Sequence, residues 1–375
     1  MNAAIEKHQD KVLMFSSIAL IMLGIIFIYS ASGPFSRFMT PPKPTWHFLM
    51  KQSLWAVVAL TTMYIAYRFD YELLVKISPF MIFVAIVLLI AVFPLSSGRV
   101  KRWISFGGLT IQPSEFFKIA AIIFMARVIA KRAGRQIYKR FIPALGVILL
   151  GVLLILVEPD LGTTGLILAV TISLLYISGF PRRYLIMLSL AGIMMASVLV
   201  FGLKYEKDRV DSYLVTLKDP FAADASYQTR QSLVSLGSGG LVGKGLANGG
   251  QKHLFLPARH TDFILSAAAE EGGFLIVVVI FGLFGLIAWS GGKIAASAVD
   301  IEGSLLAWGM MLFLILQSTI NIGVALGLFP ITGITLPFLS YGGSSLVACS
   351  MAIGITASVW RRGKSPRRYF KRFKA

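Results

Sequence analysis

Apolar stretches of helix length recur along the whole chain, separated by short polar turns. They fall near 12–31, 49–67, 77–95, 114–131, 141–157, 164–179, 185–203, 263–290, 303–328 and 345–360. About 20 apolar residues cross a bilayer as an α-helix. The pattern therefore predicts an all-α polytopic membrane protein, a bundle of about ten transmembrane helices, as one membrane domain over 1–375. The first run is too long for a signal-peptide core and has no small-residue cleavage site after it, so it reads as a retained span. Between spans seven and eight a polar stretch, 204–262, reads as a large extracytoplasmic loop, and 361–375 as a basic cytoplasmic tail.

An even number of spans puts both termini on one side, and the basic residues indicate which. With the N-terminus inside, cytoplasmic segments hold 21 of the 36 lysines and arginines, densest in 127–140 and in the tail. That bias predicts both termini in the cytoplasm. The net charge of +19 follows largely from it and does not call for nucleic acid. The tail reads either as a stop-transfer signal or as a grip on anionic headgroups. A mean hydropathy of +0.77 with 56% hydrophobic residues excludes a soluble globule. The single cysteine, Cys349, allows no intramolecular disulfide. Histidines 8, 47, 253 and 260 have no zinc-ligand spacing, and the glycines of 240–245 only superficially resemble a nucleotide-binding loop.

Three outer segments depart from simple connectors. The segment 96–113 puts three cations and Trp103 outside, against the positive-inside trend, as a held anion would require. It leads into Ser114, a candidate helix cap, and into Glu115 and Lys118, which share one helical face. A charge near mid-membrane costs roughly 2.5–3.5 kcal/mol on insertion scales. The pair is either a self-satisfied ion pair with Lys118 snorkelling or the wall of a polar cavity. The segment 204–262 is dense in glycine and carries apolar stretches, which suits ligand approach, a mobile loop, or amphipathic helices on the membrane surface. The segment 328–345 is apolar, but its two prolines and three glycines between 330 and 343 forbid a continuous helix. It reads as a re-entrant segment lining a cavity or as an interfacial turn.

Acidic residues cluster on the same side: Glu158 and Asp160 in a very short turn, and Glu270 and Glu271 early in the eighth run. Asp262 stands where the polar loop meets that run. A carboxylate there either caps the next helix or has a chemical role. Together these features predict a catalytic or binding cavity facing outward.

The motifs resemble the SEDS family (shape, elongation, division and sporulation), the peptidoglycan polymerases of bacteria. The likeness runs nearly the full length, through Lys101-Arg102-Trp103-Ile104, Gln112-Pro113-Ser114-Glu115-Phe116 with Lys118, and Pro159-Asp160-Leu161-Gly162-Thr163. It continues in Tyr227-Gln228, Gln231-Ser232, His260-Thr261-Asp262-Phe263-Ile264, Glu270-Glu271 and the run from Leu336 to Ser345. Gln231 through Gly237 and Gln251-Lys252 look more like the division and sporulation branch (FtsW-like) than the elongation branch (RodA-like). Ala258, Ser226 and Leu254 depart from the family pattern in the outer loop.

The resemblance implies a glycosyltransferase that joins lipid II, the polyprenyl-pyrophosphate-linked disaccharide peptide, into glycan strands at the outer face of the bacterial plasma membrane. A sugar 4-hydroxyl attacks an anomeric carbon carrying pyrophosphate. By position, Asp262 is then the base, Lys118, Arg102 and Arg209 face the pyrophosphate, and Glu115 orients Lys118. His260, Thr261, Ser340 and Tyr341 line the substrate site. A divalent cation (Mg or Mn) assists by the same resemblance. A class B penicillin-binding transpeptidase is the expected partner, met through outer loops and spans eight and nine, alongside other divisome or elongasome proteins. A lipid II flippase and a non-catalytic scaffold are the competing classes.

Overall fold

A computed structural model describes residues 8–37, 42–96, 101–106, 109–131, 137–202, 207–250 and 256–363. The basic tail beyond Gly363, Gln251-Lys252, and Arg132 and Arg135 of the 127–140 cluster lie outside the described residues. Helices occupy all ten of the expected apolar runs. They are α1 (Gln9–Arg37), α2 (His47–Arg68), α3 (Tyr71–Leu95), α4 (Pro113–Ala130), α5 (Ile137–Val157), α6 (Leu161–Ile177) and α7 (Arg182–Ser197, extended by a π turn at Val198–Gly202). Two helices, α8 (Lys207–Lys218) and α9 (Tyr227–Ser238), lie within the long loop. Then come α10 (Ile264–Ala296), α11 (Ile301–Ala325) and α12 (Gly343–Gly363).

Seven of the ten are long and apolar enough to cross a membrane by length and composition. The apolar parts of α5 and α6 are shorter, and α4 carries Glu115, Lys118 and Arg127. One element departs from the all-α expectation. Residues 104–111 form a two-stranded antiparallel ribbon, β1 (Ile104–Phe106) against β2 (Leu109–Ile111), with Ser105 opposite Thr110.

Local chemistry sets several helix starts. Asp70 accepts from the Glu72 N–H, so α3 begins at Tyr71, well before the apolar run at 77. Asp160 caps α6 through the Thr163 N–H at 3.0 Å, and Asp300 caps α11 through the Gly303 N–H at 2.7 Å. Ser114 does not cap α4, contrary to expectation. Pro113 occupies the first turn, where a missing N–H costs nothing, and Ser114 lies inside the helix, accepting from Gln112 Nε2.

The best-enclosed span is α12, with 83% of its apolar window buried, against 6% for α7, which stands at the periphery. Small residues let neighbours close on α12: a Cβ at Gly354 would sit 2.3 Å from the Met63 carbonyl oxygen of α2. Contacts at one end of the bundle join Asp10 to Tyr67, Arg361 to the Arg68 carbonyl, Tyr71 to Asp300, and Arg362 to Asp70 and Glu72. Both described chain ends thus share that end, as an even number of spans requires.

The chain between α11 and α12 is buried at Leu336, Phe338, Leu339 and Ser340. It reaches Gly24, near the midpoint of α1, where a Cβ would lie 2.6 Å from the Phe338 carbonyl oxygen. This is the re-entrant form of the two readings. Its backbone is satisfied by protein groups: Asn321 Nδ2 donates to the Ile334 carbonyl, Gln317 Nε2 to the Thr335 carbonyl, and the Leu336 N–H to Ser340 Oγ.

Candidate active site

Asp262 ends the turn that precedes α10. The residue flanking that helix is Phe263, and no side chain caps it, so the capping reading of Asp262 does not hold. Its backbone is fixed instead: Asn321 Nδ2 donates to the Asp262 carbonyl at 2.9 Å. Neighbouring backbone is tied to the re-entrant segment, through Ser340 Oγ to the Thr261 carbonyl (2.6 Å) and the Tyr341 N–H to the His260 carbonyl (2.8 Å). Thr261 Oγ1 also donates to the Ala258 carbonyl, closing the turn.

The carboxyl of Asp262 is half-buried, and its pKa is pushed up to about 6, mainly by burial and also by Asp160. A hydrogen bond with Thr261 and the charges of Arg209 and Arg102 pull the other way. These four groups arrive from separate elements: Arg102 from the segment entering the ribbon, Asp160 from the start of α6, Arg209 from α8, and Thr261 from the same turn. Arg102 is anchored by its Nε, which donates to the Glu158 carbonyl at 2.9 Å.

His260 packs its ring against Phe48 and Tyr341, with centroids 5.1 and 5.8 Å away. Burial first, and then Arg259, push its pKa down to about 4, so it is neutral near pH 7 and supplies no charge to a phosphate. Ser340 is buried and spent on the two loop contacts, and Tyr341 is half-buried beside Phe48.

Lys118 and Glu115 do not reach Asp262 directly. Lys118 Nζ pairs with Glu115 Oε2 at 2.8 Å, donates to Gln317 Oε1 at 3.0 Å, and lies 4.9 Å from the Phe313 ring centre. Gln317 and Asn321 are one helical turn apart on α11, so Lys118 sits about 6 Å deeper than the Asp262 backbone. A continuous polar path results, from Lys118 through Gln317 to the Thr335 carbonyl, and from Asn321 to the Ile334 and Asp262 carbonyls. Sequence reasoning missed Gln317 and Asn321, both buried; their signal was an i, i+4 pair of amides inside an apolar run.

Glu270 and Glu271 are taken up elsewhere. Glu270 accepts from Lys244 Nζ and the Gly250 N–H, both at 2.8 Å, and Glu271 accepts from Ser30 Oγ at 2.6 Å. They fasten the glycine-rich stretch 239–250 onto α10 where it kinks at Gly273. Gly243, at φ +84°, is required there, because a Cβ would stand 2.2 Å from the Glu271 carbonyl oxygen. Buried Arg259 faces this pair of acids, which hold up a pKa that burial lowers to about 10.

Among the described residues, no three His, Cys, Asp or Glu side chains are grouped to hold a metal ion. A cavity of about 510 Å³, lined by Ile172, Tyr176, Leu185, Leu190 and Leu312, is apolar and lies toward the opposite end of α6 from Asp160. The charged cluster around Asp262, and not that cavity, holds the groups able to move a proton and bind an anion.

Comparison with known proteins gives concordant results. A family model described as cell cycle protein, FtsW/RodA/SpoVE, matches residues 11–365. Stage V sporulation protein E of Bacillus subtilis is 36% identical over 358 residues, covering 94% of this chain and 97% of that one. A protein named probable peptidoglycan glycosyltransferase FtsW, from Trichlorobacter lovleyi, is 36% identical over 360 residues, covering 93% and 92%. Among solved structures, a chain of a peptidoglycan synthase complex that coordinates polymerization and crosslinking superposes with a TM-score of 0.73 at 27% identity, covering 94% and 98%. The rod shape determining protein RodA of Thermus thermophilus gives 0.68 at 28% identity, covering 94% and 97%.

Proposed function

The chain belongs to the FtsW/RodA/SpoVE family of cell cycle proteins, and we propose on that premise that it lengthens glycan strands from lipid II with Asp262 as general base. It is a multi-pass membrane protein and a peptidoglycan glycosyltransferase. The observation that carries the assignment of roles is the convergence of Asp262 with Arg102 and Arg209 at one end of the bundle. That end faces the extracytoplasmic side in this reading, with both termini in the cytoplasm of a bacterial cell.

The chemistry follows from the groups present. The acceptor's 4-hydroxyl oxygen attacks the donor's anomeric carbon while Asp262 takes the hydroxyl proton. The bond from that carbon to the pyrophosphate oxygen breaks, and the polyprenyl pyrophosphate departs with the electron pair. Arg102 and Arg209 match the developing charge by fork geometry, and Lys118 adds a point charge from deeper in the bundle. Near Asp262 the carboxylates suit a divalent cation shared with substrate phosphates, not one held by protein alone. Asp160 and Asp262 would hold it, and it would supply further countercharge to the leaving group. Removing divalent cations with EDTA should then lower the rate at least about tenfold, with recovery on adding Mg or Mn; an unchanged rate removes the cation from the account.

The partner is a class B penicillin-binding transpeptidase, a reading supported by the likeness to a chain of a synthase complex that couples polymerization to crosslinking. The test of the function is to give labelled lipid II to the purified protein with its cognate transpeptidase, and separately to sealed vesicles containing the protein. Glycan ladders without transbilayer movement of lipid II support the polymerase; movement without ladders makes it a flippase.

The raised pKa of Asp262 fixes a pH dependence. The base must be ionised, so the rate should rise about tenfold per pH unit below about 6 and level off above about 7. A rate flat across that range contradicts Asp262 as the base.

A further inference from the structure

Asn321 lies one turn further along α11 than Gln317 and is 1% exposed. Its Nδ2 carries two hydrogens, and both are used: one is donated to the Asp262 carbonyl at 2.9 Å, the other to the Ile334 carbonyl at 2.8 Å. Its Oδ1 is buried and accepts from no protein group among the described residues. Turning the amide over would set that oxygen against two carbonyl oxygens, so its orientation is fixed. Satisfying Ile334 alone needs one donor, which a serine or threonine hydroxyl supplies without stranding an amide oxygen inside the bundle. The side chain present is one that bridges two carbonyls at once.

The turn it reaches needs outside support. Ala258 is at φ +52°, in the left-handed region that a side chain disfavours, and such a turn keeps its shape where the surroundings over-determine it. Ser340 and Tyr341 hold the Thr261 and His260 carbonyls, but both belong to the re-entrant segment, itself irregular. Asn321 holds the Asp262 carbonyl from a regular helix. Three residues on, and on the same face of α11, Val324 packs against Phe263, which is wholly buried. Two consecutive residues, Asp262 and Phe263, are therefore seated on α11. One turn deeper, about 5.4 Å along the axis, Gln317 holds Lys118 by its Oε1 and the Thr335 carbonyl by its Nε2. A single helix thus fixes how far the base stands from the buried cation.

Resting on Asp262 as the general base, we infer that Asn321 is a positioning residue for it: by bridging the Asp262 and Ile334 carbonyls it sets the depth of the carboxyl relative to Lys118 and to the re-entrant wall of the site. Asn321 itself touches no reacting atom. Its loss should slow the chemical step and leave in place the affinity for lipid II, which Arg102, Arg209 and Lys118 carry.

The test is polymerisation of labelled lipid II by the protein purified with its cognate transpeptidase, with kcat and KM determined separately and melting temperature beside them. Asn321→Leu, close in shape, removes both donors. Asn321→Gln keeps both but displaces them by about one carbon–carbon bond, about 1.5 Å. A misplacement of about 1 Å can cost on the order of 10²-fold, so both variants should lower kcat by about 10–10²-fold, with KM within about threefold of wild type. A glutamine variant that keeps the wild-type kcat would show that the amide merely satisfies buried carbonyls, and overturns the inference. That variant also carries the test should the leucine variant fail to fold. Collapse of the melting temperature in both overturns it too, because the Ser340 and Tyr341 ties should hold the turn without Asn321.

The same substitutions in an Asp262→Ala background give the second readout. A residue that acts through the base then has nothing left to position, so the residual rate should change by less than about twofold. The full loss repeated in that background makes Asn321 a structural residue. Failure of the base assignment shows itself separately, as an Asp262→Ala protein that keeps its rate, and the inference falls with it.

Discussion

Replacing Asp262 with alanine is expected to reduce glycan polymerisation by about 10²–10⁴-fold, the usual worth of a positioned general base. The fold should be spared. The carboxyl makes no helix cap, and the contacts that fix this turn run through backbone: the Asp262 carbonyl to Asn321, the Thr261 carbonyl to Ser340, and the His260 carbonyl to Tyr341. Truncating the side chain leaves all three in place. Loss of a partly buried carboxylate also leaves Arg102 and Arg209 with less opposing charge, which should keep or strengthen binding of an anionic lipid. The measurement is initial rate beside melting temperature in detergent. A variant that melts like wild type and has lost the rate fits this mechanism; one that melts like wild type and keeps the rate removes Asp262 from the chemistry.

Lys118→Met is expected to produce the second large effect, and on both stability and rate. Lys118 is 2% exposed and Glu115 6% exposed, so removing the cation strands a buried carboxylate, which costs about 3–5 kcal/mol. Gln317 also loses the donor to its Oε1. Adding Glu115→Gln to the same protein removes the stranded charge and should recover most of the melting temperature. The rate should not return, because the point charge at the end of the Gln317 path is still missing. Recovery of rate and stability together would make the pair a structural ion pair and nothing more.

The spans were legible because each is a long apolar run bounded by caps or charges, and bilayer thickness leaves little choice of element. The two helices in the long loop were also foreshadowed, since Tyr213-Leu214-Val215 falls within α8 as an apolar stretch in a polar segment. The ribbon at 104–111 was not, because strands of three residues carry too little alternation to be read. Among the site residues, Asp262 and Arg102 drew notice as charges in unexpected places, and the structure brings their electrostatics together. Glu270 and Glu271 drew notice for the same reason, yet they hold a loop. Their partners, Lys244 and Ser30, lie 26 and 241 positions away, and no local pattern encodes such a pairing. The same non-locality hid Gln317 and Asn321, whose amides matter because the irregular backbone of 334–335 needs donors at that depth.

The most direct test is product analysis with the isosteric variant. Labelled lipid II is supplied at pH 7 to wild type and to Asp262→Asn, each purified with the cognate transpeptidase, and the products are separated by length. Wild type should give a ladder of glycan strands, and Asp262→Asn should bind lipid II but leave it unpolymerised. Ladders of equal length and rate from both proteins would contradict the claim that the Asp262 cluster carries out glycosyl transfer.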